Sequence, residues 1–346
     1  MAEKKNIDLK NIDWGSLGFG YVETDESYVS IFKNGAWDDG VLTKDHTVTM
    51  SECACVLQYA QTCFEGLKAY TTEDGRIVTF RPDLNAERMV DTAKRLEMPP
   101  FPKERFIDAV RKVVKANEAW VPPYGSGATL YLRPFMFGIN AVIGVKPADE
   151  YMWRCFATPV GPYFKGGAKP ITIRVSDFDR AAPHGTGHIK AGLNYAMSLH
   201  AIVDAHKNGF DENVYLDPAS RTKIEETGGA NVIFIKGNKF VTPKSSSILP
   251  SVTRRSLEVV AKEYPGMEVE EREVFLDEVP SFEECGLCGT AAVISPVGKI
   301  VDHGREICFP AGMEEMGATT KKLYDTLTGI QMGRIKAPEG WIFEIA

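Results

Sequence analysis

Lys190 stands in the run His184-Gly-Thr-Gly-His-Ile-Lys-Ala-Gly-Leu-Asn-Tyr195, a single primary amine flanked by Gly185, Gly187 and Gly192. An amine so placed can form an imine with a carbonyl, neutralise a phosphate, or remain a solvated charge. Glycine, lacking Cβ, lets backbone approach a bulky partner closely. The phosphate-loop pattern G-x-x-x-x-G-K-[ST] is not met, because Ile189 precedes the lysine and Ala191 follows, so no hydroxyl is in place for a magnesium ion. Taken alone, a lysine is most often a surface charge, and the choice rests on what other segments supply.

Several segments supply what a phosphorylated pyridine aldehyde needs. Ser251-Val-Thr253 puts two hydroxyl residues at the start of a helical pattern, where N–H groups and the helix dipole favour an anion, although simple N-capping accounts for them equally well. Gly289-Thr290-Ala291 is a small-residue turn that can present a hydroxyl and N–H groups, and it also fits an ordinary tight turn. An arginine, a carboxylate and a phenol complete the set.

The elements expected to position these groups are strands and helices in alternation. Tyr28-Val-Ser-Ile-Phe-Lys before Asn34-Gly35 reads as a hairpin, and Glu73-Asp-Gly-Arg as a second turn between strands 66–70 and 77–80. Helices are expected over 85–96 and 103–119, then strands over 128–137 and 152–160. Gly161 to Pro170 is dense in Gly and Pro and reads as a linker. The expected domains are therefore 1–160 and 171–346, joined by 161–170, the second carrying Lys190. After the lysine, Tyr195, Ala196, Leu199, Ile202 and Val203 recur at helical spacing, and Arg254 to Glu263 and Thr319 to Thr328 predict two further helices. A strand-rich half followed by alternating elements gives an α/β or α+β fold in two domains.

Composition narrows the function classes. With 346 residues, 44% hydrophobic and 25% charged, the chain can bury a large core, and it has no apolar run near the ~18 residues of a membrane span. Forty basic against 47 acidic residues give a net charge of −7 without a basic block, which argues against nucleic acid as a partner. The opening MAEKKNIDLKNIDW has charges but no apolar core or cleavage site, so a cytoplasmic protein is expected. Seven cysteines, an odd number, fit a reducing compartment. Cys53-x-Cys55 and Cys285-x-x-Cys288 lack histidines at ligand spacing, so no metal site is expected, and no thioredoxin-like unit surrounds the second pair.

The motifs Cys63-Phe-Glu-Gly-Leu-Lys-Ala-Tyr70, Phe80-Arg-Pro-Asp-Leu-Asn-Ala-Glu-Arg-Met89, Leu130-Tyr-Leu-Arg-Pro134, Gly187-His-Ile-Lys-Ala-Gly-Leu-Asn-Tyr195, Glu225-Glu-Thr-Gly-Gly-Ala-Asn231 and Gly289-Thr-Ala-Ala-Val-Ile-Ser-Pro296 together resemble the branched-chain amino-acid aminotransferases. The match runs in order from about residue 15 to near the C-terminus. The resemblance implies a two-domain, fold type IV, pyridoxal 5'-phosphate enzyme with its active site between the domains. It also implies a homodimer that exchanges the amino group between Leu, Ile or Val and 2-oxoglutarate by a ping-pong cycle.

Carried onto this sequence, the resemblance makes Lys190 the Schiff-base lysine and the proton carrier. Arg88, Val252, Thr253 and Thr290 would bind the cofactor phosphate, Glu226 would face the pyridine nitrogen, and Tyr195 the ring oxygen. Phe19, Tyr59, Phe64, Tyr131, Tyr163 and Ala291 would line an apolar substrate pocket. Arg133 would serve the distal carboxylate of glutamate, and the N–H groups of Thr290 and Ala291 the α-carboxylate. The chain departs from the family in two places: Gly229 stands where some members have threonine, and Ala292 and Ser295 stand where some animal relatives carry a redox C-x-x-C. The D-amino-acid aminotransferases, amine transaminases and aminodeoxychorismate lyases share the implied fold, and Tyr131-Leu-Arg133 with an apolar pocket favours the branched-chain L-substrate. A non-catalytic cofactor-binding protein would need a broken catalytic set, yet Lys190, Glu226, Arg88 and Tyr195 are all present.

Overall fold

The computed structural model describes residues 12–161 and 168–345. The chain divides into two compact units, one of Met1–Tyr163, Lys190–Gly192 and Ile330–Ala346, the other of Phe164–Ile189 and Leu193–Gly329. A single linker over 161–170 does not describe this division, because two later segments return to the first unit. Backbone pairing is the reason. Ala191 bridges Cys63, and the C-terminal strand Ile342–Glu344 pairs antiparallel with Ile77–Phe80. Lys190 thus groups with the first unit and not, as expected, with the second.

In the first unit an antiparallel sheet runs in the order Ile342–Glu344, Ile77–Phe80, Leu67–Thr71, Thr129–Gly138, Tyr151–Val160, Ser27–Lys33, Ala36–Trp37. Val41–Thr43 pairs with Ser27–Lys33, and Thr62–Phe64 with Thr129–Gly138. The Asn34-Gly35 turn takes φ of 54° and 83°, the two positive values that a type I′ hairpin requires. Helices α1 (Cys55–Tyr59), α2 (Pro82–Arg95) and α3 (Lys103–Ala116) accompany the sheet. α2 begins three residues before its expected start, with Pro82 at the first helical position, where the missing N–H costs nothing. Trp153 centres the core, stacked on Phe101 at 4.3 Å and met edge-on by Phe106 and Tyr28.

The second unit holds a mixed sheet in the order Glu268–Arg272, Lys239–Pro243, Asn231–Lys236, Glu284–Gly289, Val293–Asp302, Ile171–Val175, Glu212–Leu216, Lys223–Thr227, Val274–Phe275. Its helices are α4 (Gly192–Lys207, whose first residue groups with the other unit), α5 (Val252–Glu263) and α6 (Ala318–Gln331, whose last two residues group with the other unit). The core gathers Val232, Phe234, Val241, Leu287 and Ile300, with Phe234 stacked on Phe282 at 4.5 Å.

Helix α4 buries small residues and leaves large apolar ones outside. Its buried stripe is Asn194, Ser198, Ala201 and Ala205, while Leu199, Val203 and Met197 stand exposed at 60%, 50% and 57%. Small residues allow closer helix packing here, and Leu199 and Val203, one turn apart, are left outward. In Glu284–Gly289, Cys285 pairs with Val297 and Cys288 with Ile294. Three residues apart on a strand, their side chains point to opposite faces. Burial also raises both thiols, Cys288 to about 12. They do not form a dithiol pair.

Candidate active site

Helix α2 and the turn at Glu65 fix the surroundings of Lys190. Asn85, Arg88 and Thr92 lie on one helix stripe, at i, i+3 and i+7, and all three are buried. The Glu65 carboxylate, 0% exposed, accepts from Asn85 Nδ2 at 2.7 Å, Arg88 Nε at 2.8 Å and Arg88 Nη2 at 2.8 Å. This is a bidentate pair, and Arg88 is not a helix-surface arginine. One turn on, Thr92 Oγ1 accepts from the Lys190 N–H at 3.1 Å, while the Lys190 carbonyl accepts from the Phe64 N–H at 3.1 Å. The lysine backbone is therefore clamped on both sides. Its Nζ stands 4.8 Å from the centroid of the Phe64 ring, within cation–π range.

The sheet face that bears Phe64 also carries Tyr131 and Arg133. Arg133 Cζ lies 4.8 Å from the Phe64 centroid, and its Nη2 donates to Tyr131 Oη at 3.0 Å. Phe19 meets Tyr131 edge-on at 5.2 Å, and the Tyr59 hydroxyl donates to the carbonyl of Ile143 at the end of α1. Gly66 has a steric reason to be glycine: a Cβ there would fall 2.1 Å from Tyr131 Oη. Tyr163 lies outside the described residues.

In the second unit Glu226 is buried and held by three donors. Its carboxylate oxygens accept from the Leu249 N–H at 2.8 Å, Asn231 Nδ2 at 2.6 Å and the Arg180 guanidinium at 2.6 Å. Glu225 takes a different partner, Ser245 Oγ at 2.6 Å. Arg180 also donates to the carbonyls of Gly187 and Ser247, so it ties the glycine run to the carboxylate. A Cβ at Gly187 would sit 2.2 Å from Ser247 O and 2.8 Å from Arg180 Nη2, which only glycine avoids. Glu65, Asn85, Thr92 and Arg180 escaped the sequence reading. The one available signal was the polar i, i+3, i+7 stripe inside an otherwise apolar helix face.

Burial pushes the Glu226 carboxyl up from its ordinary 4.5 to about 7, against the opposing pull of Arg180, Leu249 and Asn231. The folded protein then keeps a proton that the unfolded chain has released, so this group lowers stability as pH rises through that interval. Glu226→Gln is expected to flatten the decline of the melting temperature between about pH 5 and pH 8. An unchanged slope in those melts would assign the effect to another group.

The start of α5 is capped and buried. Ser251 caps it, its side chain accepting from the Arg254 N–H at 3.2 Å, and the helix begins at Val252, two residues earlier than expected. By helix geometry the N–H groups of Val252 and Thr253 precede the first intrahelical bond. Both residues are buried. Thr290 and Ala291, half-buried, form the turn of the hairpin in which Gly289 pairs with Val293. Val293 has φ of +64°, a rare and strained state for a β-branched residue. Tyr195 is half-buried on the first turn of α4. Gly229 is exposed, and a Cβ added there would meet nothing within 4 Å, so no steric constraint accounts for that glycine.

Comparison with known proteins identifies the family. Residues 62–300 match the family model described as amino-transferase class IV. A branched-chain-amino-acid aminotransferase of Haemophilus influenzae is 52% identical, covering 97% of this chain and 100% of that protein. The crystal structure of the Escherichia coli branched-chain amino acid aminotransferase is 27% identical, with a TM-score of 0.78 over 94% of this chain and 100% of that one. The Thermobaculum terrenum enzyme of the same name, solved in its PLP form, is 25% identical, with a TM-score of 0.76 over 94% and 100%. An anchored lysine, a bidentate arginine and a buried carboxylate, in a chain so similar to these enzymes over nearly its whole length, place it among the class IV aminotransferases, in the branched-chain-amino-acid aminotransferase family.

Proposed function

We propose that this chain moves the amino group between L-leucine, L-isoleucine or L-valine and 2-oxoglutarate, in two half-reactions, with pyridoxal 5'-phosphate as cofactor. The observation that carries the reading is the clamped Lys190, its amine over the Phe64 ring on the face that also bears Tyr131 and Arg133. The donor set suits the cofactor: a primary amine, a capped helix start for a phosphate, and a buried carboxylate for a ring nitrogen. Two acceptors close to that carboxylate in sequence, Glu225 Oε2 and Asn231 Oδ1, are buried without a hydrogen-bond partner among the described residues. When bound, pyridoxal phosphate supplies a carbonyl for the amino group and a ring that withdraws electrons from the substrate Cα.

In this reading Lys190 takes the proton from the substrate Cα and later returns it, a task suited to a primary amine. Arg88, Val252, Thr253 and Thr290 hold the phosphate, Glu226 keeps the ring nitrogen protonated, and Tyr195 binds the ring oxygen. Phe19, Tyr59, Phe64, Tyr131, Tyr163 and Ala291 wall the branched side chain, each buried CH₂ adding ~0.8 kcal/mol. Arg133 receives the distal carboxylate of the dicarboxylic substrate, and the N–H groups of Thr290 and Ala291 take the α-carboxylate.

We assign the protein to the cytoplasm, as a homodimer. Among the described residues no helix is long and apolar enough to cross a membrane. The exposed Leu199 and Val203, one turn apart on α4, form an apolar stripe that a second copy would cover. The test is spectroscopic. Adding L-leucine, but not D-leucine, is expected to bleach the visible cofactor band of the holoenzyme, and 2-oxoglutarate to restore it. A band indifferent to all three branched-chain L-amino acids would sink the reading.

A further inference from the structure

The loop after Trp120 and the turn after helix α6 border a cavity of about 210 Å³ at the end of strand Leu67–Thr71, all within the first unit. Both borders are tied to that strand end. Thr71 Oγ1 donates to the Pro122 carbonyl at 2.8 Å, and the Glu73 N–H donates to the Met332 carbonyl at 3.0 Å. The loop is also fixed internally. Pro122 and Pro123 have restricted φ, Gly125 and Gly127 take φ of 82° and 73°, and Ser126 Oγ donates to the Pro123 carbonyl at 2.7 Å while accepting from the Ala128 N–H at 3.3 Å. The cavity is therefore preformed, and a ligand entering it need not order the loop.

Its lining is apolar with one charge. Tyr70 and Tyr124 contribute aromatic rings, Pro122 and Pro123 pyrrolidine rings, and Met332 a thioether, groups that favour an aromatic body. Arg334 is the single charged residue of the lining and is exposed, and its guanidinium fork suits a carboxylate. Size restricts the ligand further. A cavity of about 150 Å³ accepts one benzene, so this larger one has room for a ring with a short acidic arm.

The cavity stands apart from Lys190. Phe64, which bonds the Lys190 carbonyl, pairs with Phe135, whereas Ala128 of the lining directly precedes strand Thr129–Gly138. From Ala128 to Phe135 the chain advances about 23 Å at the ~3.3 Å rise of a strand. Tyr131, nearer in sequence, turns its hydroxyl to Gly66 and away from this end.

We propose that this cavity is a second ligand site, taking a small aromatic monocarboxylate whose ring packs among the tyrosines and prolines and whose carboxylate meets Arg334. Phenylacetate is the probe, since it has neither an amino nor an oxo group to exchange. By calorimetry it should bind the holoenzyme in the presence of saturating 4-methylpentanoate, and neutral phenylacetamide should bind far more weakly. Arg334→Gln should weaken phenylacetate about ten- to hundredfold, and Tyr124→Ala about three- to tenfold. Both residues are exposed, and neither variant should change kcat/KM for leucine by more than about twofold.

Displacement of phenylacetate by 4-methylpentanoate, equal binding by the Gln variant, a leucine activity that falls with it, or no binding at millimolar phenylacetate would each overturn the proposal. The binding measurements need no turnover, so they stand whether or not the branched-chain reading does.

Discussion

Lys190→Ala is expected to abolish amino-group transfer, lowering kcat on the order of 10⁴-fold or more, because the variant has no positioned base at the substrate Cα. The fold should survive. The Lys190 backbone bonds to Thr92 and Phe64 do not involve its side chain, and the cation–π interaction of its amine with the Phe64 ring is worth only about 0.5–1 kcal/mol. Steady-state assays with leucine and 2-oxoglutarate, run beside circular-dichroism melts, separate the two effects. Partial recovery on adding a small primary amine would identify proton transfer as the missing step. Full activity in the alanine variant would exclude Lys190 from the chemistry.

The largest expected effect on stability comes from Glu65→Ala. Glu65 is fully buried and engages Arg88 through two hydrogen bonds and Asn85 through a third. Removing the carboxylate strands a buried guanidinium, a change that costs about 3–5 kcal/mol. Glu65→Gln keeps the shape and one acceptor, so its penalty should be smaller. Denaturant unfolding of both variants provides the measurement, and an alanine variant within about 0.5 kcal/mol of the parent would contradict the buried-pair account. Activity should fall as well in Glu65→Ala, since Arg88 loses the carboxylate that fixes its guanidinium plane.

These two residues differ in how they could be found. Lys190 is visible in the chain as an amine among glycines, and the motif set implies the role proposed for it. Glu65 is visible only as one letter of Cys63-Phe-Glu-Gly, because the partner that gives it meaning, Arg88, is 23 residues away. Arg180 is harder still. Its three contacts, with Gly187, Ser247 and Glu226, come from three separate segments, and no local pattern marks it.

Local rules served well where the deciding forces are local. Asn34-Gly35 made its hairpin because both residues tolerate positive φ, and Ser251 caps α5 because its oxygen reaches the Arg254 N–H. They failed where burial depends on distant neighbours. Helical spacing alone does not say which face of α4 is buried, and the small residues Ala201 and Ala205 take that place. The C-terminal strand Ile342–Glu344 belongs to the first unit through pairing with Ile77–Phe80, more than 260 residues earlier in the chain.

By itself, then, the sequence of this protein determined the imine-capable lysine, the turns, most helices and strands, and the family to which their order belongs. These are matters of side-chain chemistry and short-range backbone preference. Only the tertiary structure decided that Lys190 is clamped by Thr92 and Phe64, that Glu65 holds Arg88, that Arg180 holds Glu226, and that Arg334 lines a cavity with Tyr70 and Pro122. The reason is physical: a buried charge is tolerated only beside partners that the fold brings together, and strand register, which sets who faces whom, is fixed by the whole sheet and not by any one strand.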